Sequence, residues 1–221
     1  MARDDKKRGI EIMKQQPASG VSIVGGGIRI DASGKAIETQ FGVKWGRVYM
    51  VLDCSGSMTG YKLEQAKGGV LDFAKDAIRK EYLTGLIKFD SLATHICEPM
   101  KDISYLDRQL KNIFASGSTN MVDAIKMAHD KLKNLECSKA IVIATDGQPD
   151  NVEESIRAGK LAKDDGIEII TIGTDDADQQ FLKKLASRDE LGTKVSREMF
   201  AKAISSAYKL LPSPKMIVPK R

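Results

Sequence analysis

Asp53, Ser55 and Ser57 alternate at the end of the run Val48-Tyr49-Met50-Val51-Leu52-Asp53-Cys54-Ser55-Gly56-Ser57-Met58. A carboxylate and two hydroxyls on a tight loop eased by Gly56 form an all-oxygen donor set. Hard divalent cations such as Mg²⁺ or Mn²⁺ prefer such donors. Two distant segments offer more of the same: Gly117-Ser118-Thr119-Asn120, and Ile141-Val142-Ile143-Ala144-Thr145-Asp146-Gly147. Taken alone, Asp-x-Ser-Gly-Ser also serves as a helix N-cap, since Ser and Asp are commonplace there. Together with Thr119 and Asp146 it reads as a metal site. Asp90, Asp150 and Asn151 fall near the same loops and read as turn formers and caps rather than ligands.

These residues need elements that bring them together. Val48 to Leu52 and Ala140 to Ala144 are unbroken apolar runs, the pattern of strands covered on both faces. Tyr61 to Arg79 carries Leu63, Ala66, Val70, Phe73, Ala74, Ala77 and Ile78 at helical spacing. Further strands are expected at Leu86 to Phe89, Ala93 to Glu98 (antiparallel), Glu168 to Ile172 and Thr193 to Val195. Helices are expected at Tyr105 to Phe114, with Leu106, Leu110, Ile113 and Phe114 on one side, and at Met121 to Leu135, Val152 to Lys163, Asp178 to Ala186 and Glu198 to Leu211. Alternating strands and helices predict an α/β fold, a doubly wound, mostly parallel sheet flanked by helices. Ligands of such sheets sit at the carboxyl ends of the strands, where strand order reverses. Asp53 and Asp146 would flank that crevice.

Before this region, Met1 to Gln16 could form a short charged helix. Val21 to Val24, Ile28 to Asp31 and Ala36 to Thr39 predict short strands, with Gly25 to Gly27 and Ala32 to Lys35 as the turns. The expected organisation is an N-terminal arm and small β extension over 1–44, a main domain over 45–211, and a flexible tail over 212–221 containing three prolines.

Asp-x-Ser-x-Ser, followed by a distant Thr and a distant Thr-Asp-Gly, resembles the metal-ion-dependent adhesion site (MIDAS) of the von Willebrand factor type A (vWA) family. The resemblance covers about Lys44 to Leu211 and has a counterpart for each of the five ligand positions. It implies a Rossmann-like sheet of order 3-2-1-4-5-6 with the third strand antiparallel. It also implies that Ser55 and Ser57 coordinate Mg²⁺ (or Mn²⁺) directly, that Thr119 does so when a partner is bound, and that Asp53 and Asp146 act through waters. Such an ion seeks a Glu or Asp of a partner protein. The motif looks most like cytosolic, prokaryotic members such as the A domains of magnesium-chelatase-type subunits, some of whose relatives work beside AAA+ ATPases.

Composition narrows the function classes. With 42% hydrophobic and 29% charged residues in 221, the chain can build a core without a staple. A net charge of +5 comes from interleaved charges and aromatics are 5%, which argues against nucleic-acid binding. No apolar run approaches the roughly 20 residues of a membrane helix. Three cysteines in no metal-type spacing, and no signal-peptide order at the N-terminus, predict a cytoplasmic protein. Cys54 reads as a small side chain turned inward, and His95 and His129 as surface or edge residues. Val21 to Gly27 lacks the third glycine of a dinucleotide fingerprint, which would fall at Ile30. No Walker A motif or Gly-x-Ser-x-Gly nucleophile elbow is present. An aspartyl-phosphatase reading of Asp53 needs a second acid two residues on, where Ser55 stands. No catalytic residue is therefore expected. The reading favours a metal-dependent protein-binding module. The alternative is a metal-independent scaffold using the N-terminal extension or the tail.

Overall fold

The computed structural model describes residues 21–30 and 36–217. The expected helix at Met1 to Gln16 and the turn at Ala32 to Lys35 lie outside them.

Six strands form the main sheet: β3 (Gly46–Asp53), β4 (Tyr82–Phe89), β5 (Ala93–Met100), β6 (Lys139–Thr145), β7 (Glu168–Gly173) and β8 (Gly192–Lys194). Their order is β5-β4-β3-β6-β7-β8. All neighbours pair in parallel except β4 and β5, which are antiparallel. This is the α/β arrangement expected from the sequence, including the antiparallel third strand.

Pleating decides which side chains meet which helices. Alternate residues of a strand point to opposite faces. On one face Val48, Met50 and Leu52 pack in a cluster with α1 (Tyr61–Arg79), α2 (Ile103–Lys111) and α6 (Phe200–Ser206), through residues such as Val70, Phe73, Leu106 and Phe200. On the other, Tyr49 and Val51 meet α3 (Met121–Leu132), α4 (Val152–Asp164) and α5 (Gln179–Leu185), through Ile125, Ala128, Ala158 and Leu182. Because both faces are covered, the central runs Val48 to Leu52 and Ala140 to Ala144 had to be apolar, and β3 and β6 are buried along nearly their whole length.

β3 lies where the order reverses: the next strand in sequence, β4, is on one side and β6 on the other. Both neighbours run parallel to it, with Asp53 opposite Phe89 and Leu52 opposite Ala144. The carboxyl ends of β3 and β6 therefore open side by side, at the crevice where this class of sheet binds ligands.

Four expectations are corrected. Gly25 to Gly27 do not form a turn: β1 (Val21–Ile30) runs through them as one strand paired antiparallel with β2 (Ala36–Lys44). A register shift between Ile23 and Gly25 takes up the extra residue, a role glycine-rich strands accommodate easily. The tail is not wholly free, because β9 (Lys215–Ile217) pairs antiparallel with Gly42–Lys44. Its approach is fixed by side chains of the main domain. Tyr82 donates to the Pro212 carbonyl at 2.7 Å, Ser138 to that of Ser213 at 2.7 Å, and Lys80 to that of Leu211 at 2.7 Å. Phe114 does not face inward with Leu110: α2 ends at Lys111, and Phe114 is 75% exposed. The last helix is broken into 3-10 turns at Arg197–Met199 and Ala207–Leu210 around the short α6.

Candidate metal centre

Three loops build the site. The first leaves β3 at Asp53, makes a 3-10 turn at Gly56–Met58 and enters α1 after Gly60, whose φ of +79° suits glycine. The second precedes α3. Its Gly117 has φ +71°, which favours glycine, and a Cβ there would also come within 2.3 Å of the Ser91 hydroxyl. Backbone bonds lock these two loops together: Gly56 N–H donates to the Gly117 carbonyl at 3.0 Å and Ser116 N–H to that of Cys54 at 2.8 Å. The third follows β6.

Four of the five expected residues form one hydrogen-bonded group. Asp53 is fully buried, and both of its oxygens are engaged: Oδ1 accepts from Ser55 N–H at 2.8 Å and Oδ2 from the Thr145 hydroxyl at 2.5 Å. Ser55 Oγ and Ser57 Oγ are 3.1 Å apart. The Ser57 hydroxyl donates to Asp146 Oδ1 at 2.7 Å, across 89 positions of sequence. Thr119 joins through the backbone of the locked second loop. Its N–H donates to both carboxylate oxygens of Asp150 at 3.1 Å, and its carbonyl accepts from Asp150 N–H. No hydrogen bond links its hydroxyl to the other four among the described residues. Asp150 thus positions Thr119, Asn151 caps α4 by accepting from Glu154 N–H at 3.0 Å, and Asp90 accepts from Lys88 and from Leu92 N–H.

Can these groups hold a divalent ion? Among the described residues no three His, Cys, Asp or Glu side chains cluster as a metal would need, so the site must rely on hydroxyls as well as carboxylates. Its geometry suits that. Adjacent ligands of an octahedron with bonds of about 2.0–2.1 Å lie about 2.9 Å apart, close to the Ser55–Ser57 separation of 3.1 Å. The Ser57 proton is directed at Asp146, so Ser55 is the donor in the 3.1 Å contact and Ser57 Oγ keeps one lone pair free. Asp53, with both oxygens already engaged, suits an indirect role through water.

Electrostatics favour a cation as well. Burial pushes the Asp53 carboxyl up to about 6. The Ser55 and Thr145 hydrogen bonds oppose that shift, and the nearby Asp146 charge adds to it. Burial also pushes the Cys54 thiol up to about 12, and its Sγ–H donates to the Leu52 carbonyl at 3.6 Å. Cys54 is the inert, inward-facing side chain expected. His95 and His129 pair with Tyr49 and Asp165, away from these loops.

The sequence reading missed Lys62, Asp175 and Arg197. Lys62, in the first turn of α1, donates a short hydrogen bond to Asp146 Oδ2 and lies 3.2 Å from Asp175. Arg197 closes on Asp175, with Nη2 at 2.7 Å and Nε at 3.1 Å from Oδ2. Burial works against the Lys62 charge, but Asp146 and Asp175 outweigh it and hold its pKa above the usual lysine value. Lys62 is the second residue of α1, and nothing local in the sequence marks it as part of the site. Beside the loop, a groove of about 540 Å³ is lined by residues including Thr59, Leu63, Lys67, Leu110 and Phe114.

Comparison with known proteins agrees with this fold. The family model described as von Willebrand factor type A domain matches residues 48–209, and the chain belongs to that family. Its structure is similar to that of the vWF domain of the type V pili tip protein Mfa5 from Porphyromonas gingivalis. The identity is 14%, over 76% of this chain and 95% of that one, with a TM-score of 0.67. BatB from Bacteroides thetaiotaomicron is 19% identical over 74% of this chain and 98% of its own, with a TM-score of 0.58. Proximal thread matrix protein 1 from the mussel byssus, solved with a zinc-occupied MIDAS motif, is 19% identical over 78% of this chain, with a TM-score of 0.62. This chain spans about half the length (48%) of that mussel protein. No curated protein sequence matches the chain.

Proposed function

We propose that the chain is a metal-dependent protein–protein interaction module. In this reading Asp53, Ser55, Ser57, Thr119 and Asp146 hold Mg²⁺ or Mn²⁺ as a MIDAS, and the ion takes a Glu or Asp of a partner as a further ligand. The observation that carries the reading is the hydrogen-bonded group Asp53–Ser55–Ser57–Asp146, with two hydroxyl oxygens at ligand spacing and both carboxylates in supporting positions. Bound there, the ion would supply an electrophilic centre for a carboxylate.

The chain's own residues do the rest. Thr145 and the Ser55 N–H fix Asp53, and Asp146 orients the Ser57 hydroxyl. Asp150 steadies the Thr119 loop. An all-oxygen set favours Mg²⁺ or Mn²⁺ over zinc, which prefers nitrogen and sulfur. The zinc-occupied MIDAS of the mussel relative supports metal binding by this motif type.

A cytoplasmic setting fits three buried free thiols. No helix among the described residues is long and apolar enough to cross a membrane. Work alongside an AAA+ ATPase, the domain limits 45–211 and the resemblance to magnesium-chelatase-type A domains belong to the same proposal. The test is capture from the native cell lysate in Mg²⁺ and in EDTA, with proteins identified by mass spectrometry and Ser55→Ala as control. A partner held in Mg²⁺, and lost both in EDTA and with Ser55→Ala, is expected. A partner retained in all three conditions would favour the metal-independent scaffold, with β1, β2 and β9 as its contact element.

A further inference from the structure

Lys62 places a fixed positive charge on a carboxylate that the metal reading assigns to a divalent ion. Its side chain is 15% exposed and that of Asp146 is 0% exposed, so water screens the pair poorly. Asp146 divides its oxygens between two donors, Oδ1 to Ser57 and Oδ2 to Lys62. A second carboxylate, Asp175, already stands 3.2 Å from the same ammonium. Asp175 is held from its other side by Arg197, and its backbone sits at φ +50°. A lysine with two acidic partners, one of them a candidate metal ligand, can leave the first without losing all compensation for its charge.

We propose that Lys62 is a built-in counter-cation of the metal site: it competes with the divalent ion for Asp146, sets the site's affinity, and shifts to Asp175 when the ion is loaded. The inference rests on the metal reading above. Two effects act in the same direction. In the metal-free protein Lys62 neutralises a buried carboxylate, which stabilises that state relative to the loaded one. In the loaded protein its charge remains near the ion and repels it. Both lower metal affinity, so removing the charge must raise it.

Lys62→Met keeps most of the side chain's length and discards the charge. Asp175→Asn keeps the shape, and asparagine tolerates a positive φ. This second variant removes the alternative partner of Lys62 and one negative charge near the ion, so it should weaken metal binding. Calorimetric titration of wild type and both variants with Mn²⁺ and Mg²⁺ reads the affinities, and thermal melts in EDTA read the metal-free state. Lys62→Met is expected to bind about tenfold tighter or more and to melt lower in EDTA. Asp175→Asn is expected to bind several-fold weaker. Equal or weaker binding by Lys62→Met, with wild type binding normally, would overturn the role of Lys62 and leave the metal site standing. Unchanged binding by Asp175→Asn would overturn the shift to Asp175, and this variant keeps the test alive should Lys62→Met fail to fold. If no protein in the set binds either ion, the metal reading falls and this inference with it.

Discussion

Replacing Asp53 by asparagine should stabilise the metal-free protein at neutral pH, although it alters a fully buried residue of the central strand. The Asp53 carboxyl binds its proton near 6 in the folded chain, against an ordinary value of 3.8, chiefly because it is buried. Its raised pKa favours folding at low pH. That contribution is fully present below about 3.8 and is lost as pH rises through about 6. At pH 7 the ionised carboxylate costs up to about 3 kcal/mol.

Asparagine removes this cost and keeps the hydrogen bonds: its oxygen can accept from Ser55 N–H, and its amide can donate to the Thr145 hydroxyl. For a chain of this size the gain corresponds to a melting temperature up to about 6–12 °C higher in EDTA. The same change removes a charge the ion needs, so the variant should lose its melting response to Mg²⁺. Wild type should gain about 1.4 kcal/mol when Mg²⁺ is tenfold above its dissociation constant. The assay is thermal or urea unfolding of both proteins in EDTA and in Mg²⁺, at pH 4.5 and pH 7. The gap between variant and wild type should shrink markedly at pH 4.5. A variant less stable than wild type in EDTA at pH 7, or a gap independent of pH, would mean that burial of the Asp53 charge is not the cost, and a retained Mg²⁺ response would mean that the ion does not need it.

Further outcomes follow from the packing around the site. Gly69 lies in α1 against α6, where an added Cβ would meet the Ala201 carbonyl at 2.8 Å and Ile204 Cβ at 2.9 Å. Gly69→Ala should therefore destabilise by about 1–3 kcal/mol in urea melts. Its neighbour Gly68 has nothing within 4 Å of such a Cβ, so Gly68→Ala should stabilise by about 0.5–1 kcal/mol through helix propensity alone. Asn151→Ala removes the α4 cap and should cost about 1 kcal/mol with metal affinity unchanged, read by the same melts and by titration. Metal affinity itself should rise from pH 5 to pH 7 as the Asp53 carboxyl ionises through about 6, measurable by Mn²⁺ titration across that range.

How much of this was legible beforehand differs from element to element. The doubly covered strands β3 and β6 could be read directly, since burial on both faces requires continuous apolar runs. The span of α1, Tyr61–Arg79, followed from its 3.6-residue periodicity and agrees with the structure at both ends. Oxygen-bearing residues at the ends of two such strands pointed to the crevice, and the structure joins Asp53, Ser55, Ser57 and Asp146 there.

Lys62 was not legible as part of the site. A lysine on a surface helix ordinarily points into solvent, and only the three-dimensional placement of Asp146 and Asp175 reveals its partners. Phe114 was misplaced because helical spacing continued on paper past Lys111, where the helix ends. Gly25 to Gly27 looked like a turn because glycine marks turns more often than long strands, whereas β1 carries them in register opposite Phe41, Gln40 and Thr39, just after a bulge at Val24. The tail seemed free because its prolines exclude a helix. Nothing local revealed that the Tyr82 and Ser138 hydroxyls would donate to its extended backbone.

The metal reading proposed here places a divalent ion between Ser55 and Ser57. Anomalous diffraction from crystals soaked in Mn²⁺ tests it most directly. A single strong peak bonded to both serine hydroxyls is expected, with Asp53 and Asp146 around it and Lys62 turned toward Asp175. No peak at these hydroxyls under saturating Mn²⁺, with Lys62 still on Asp146, would contradict it.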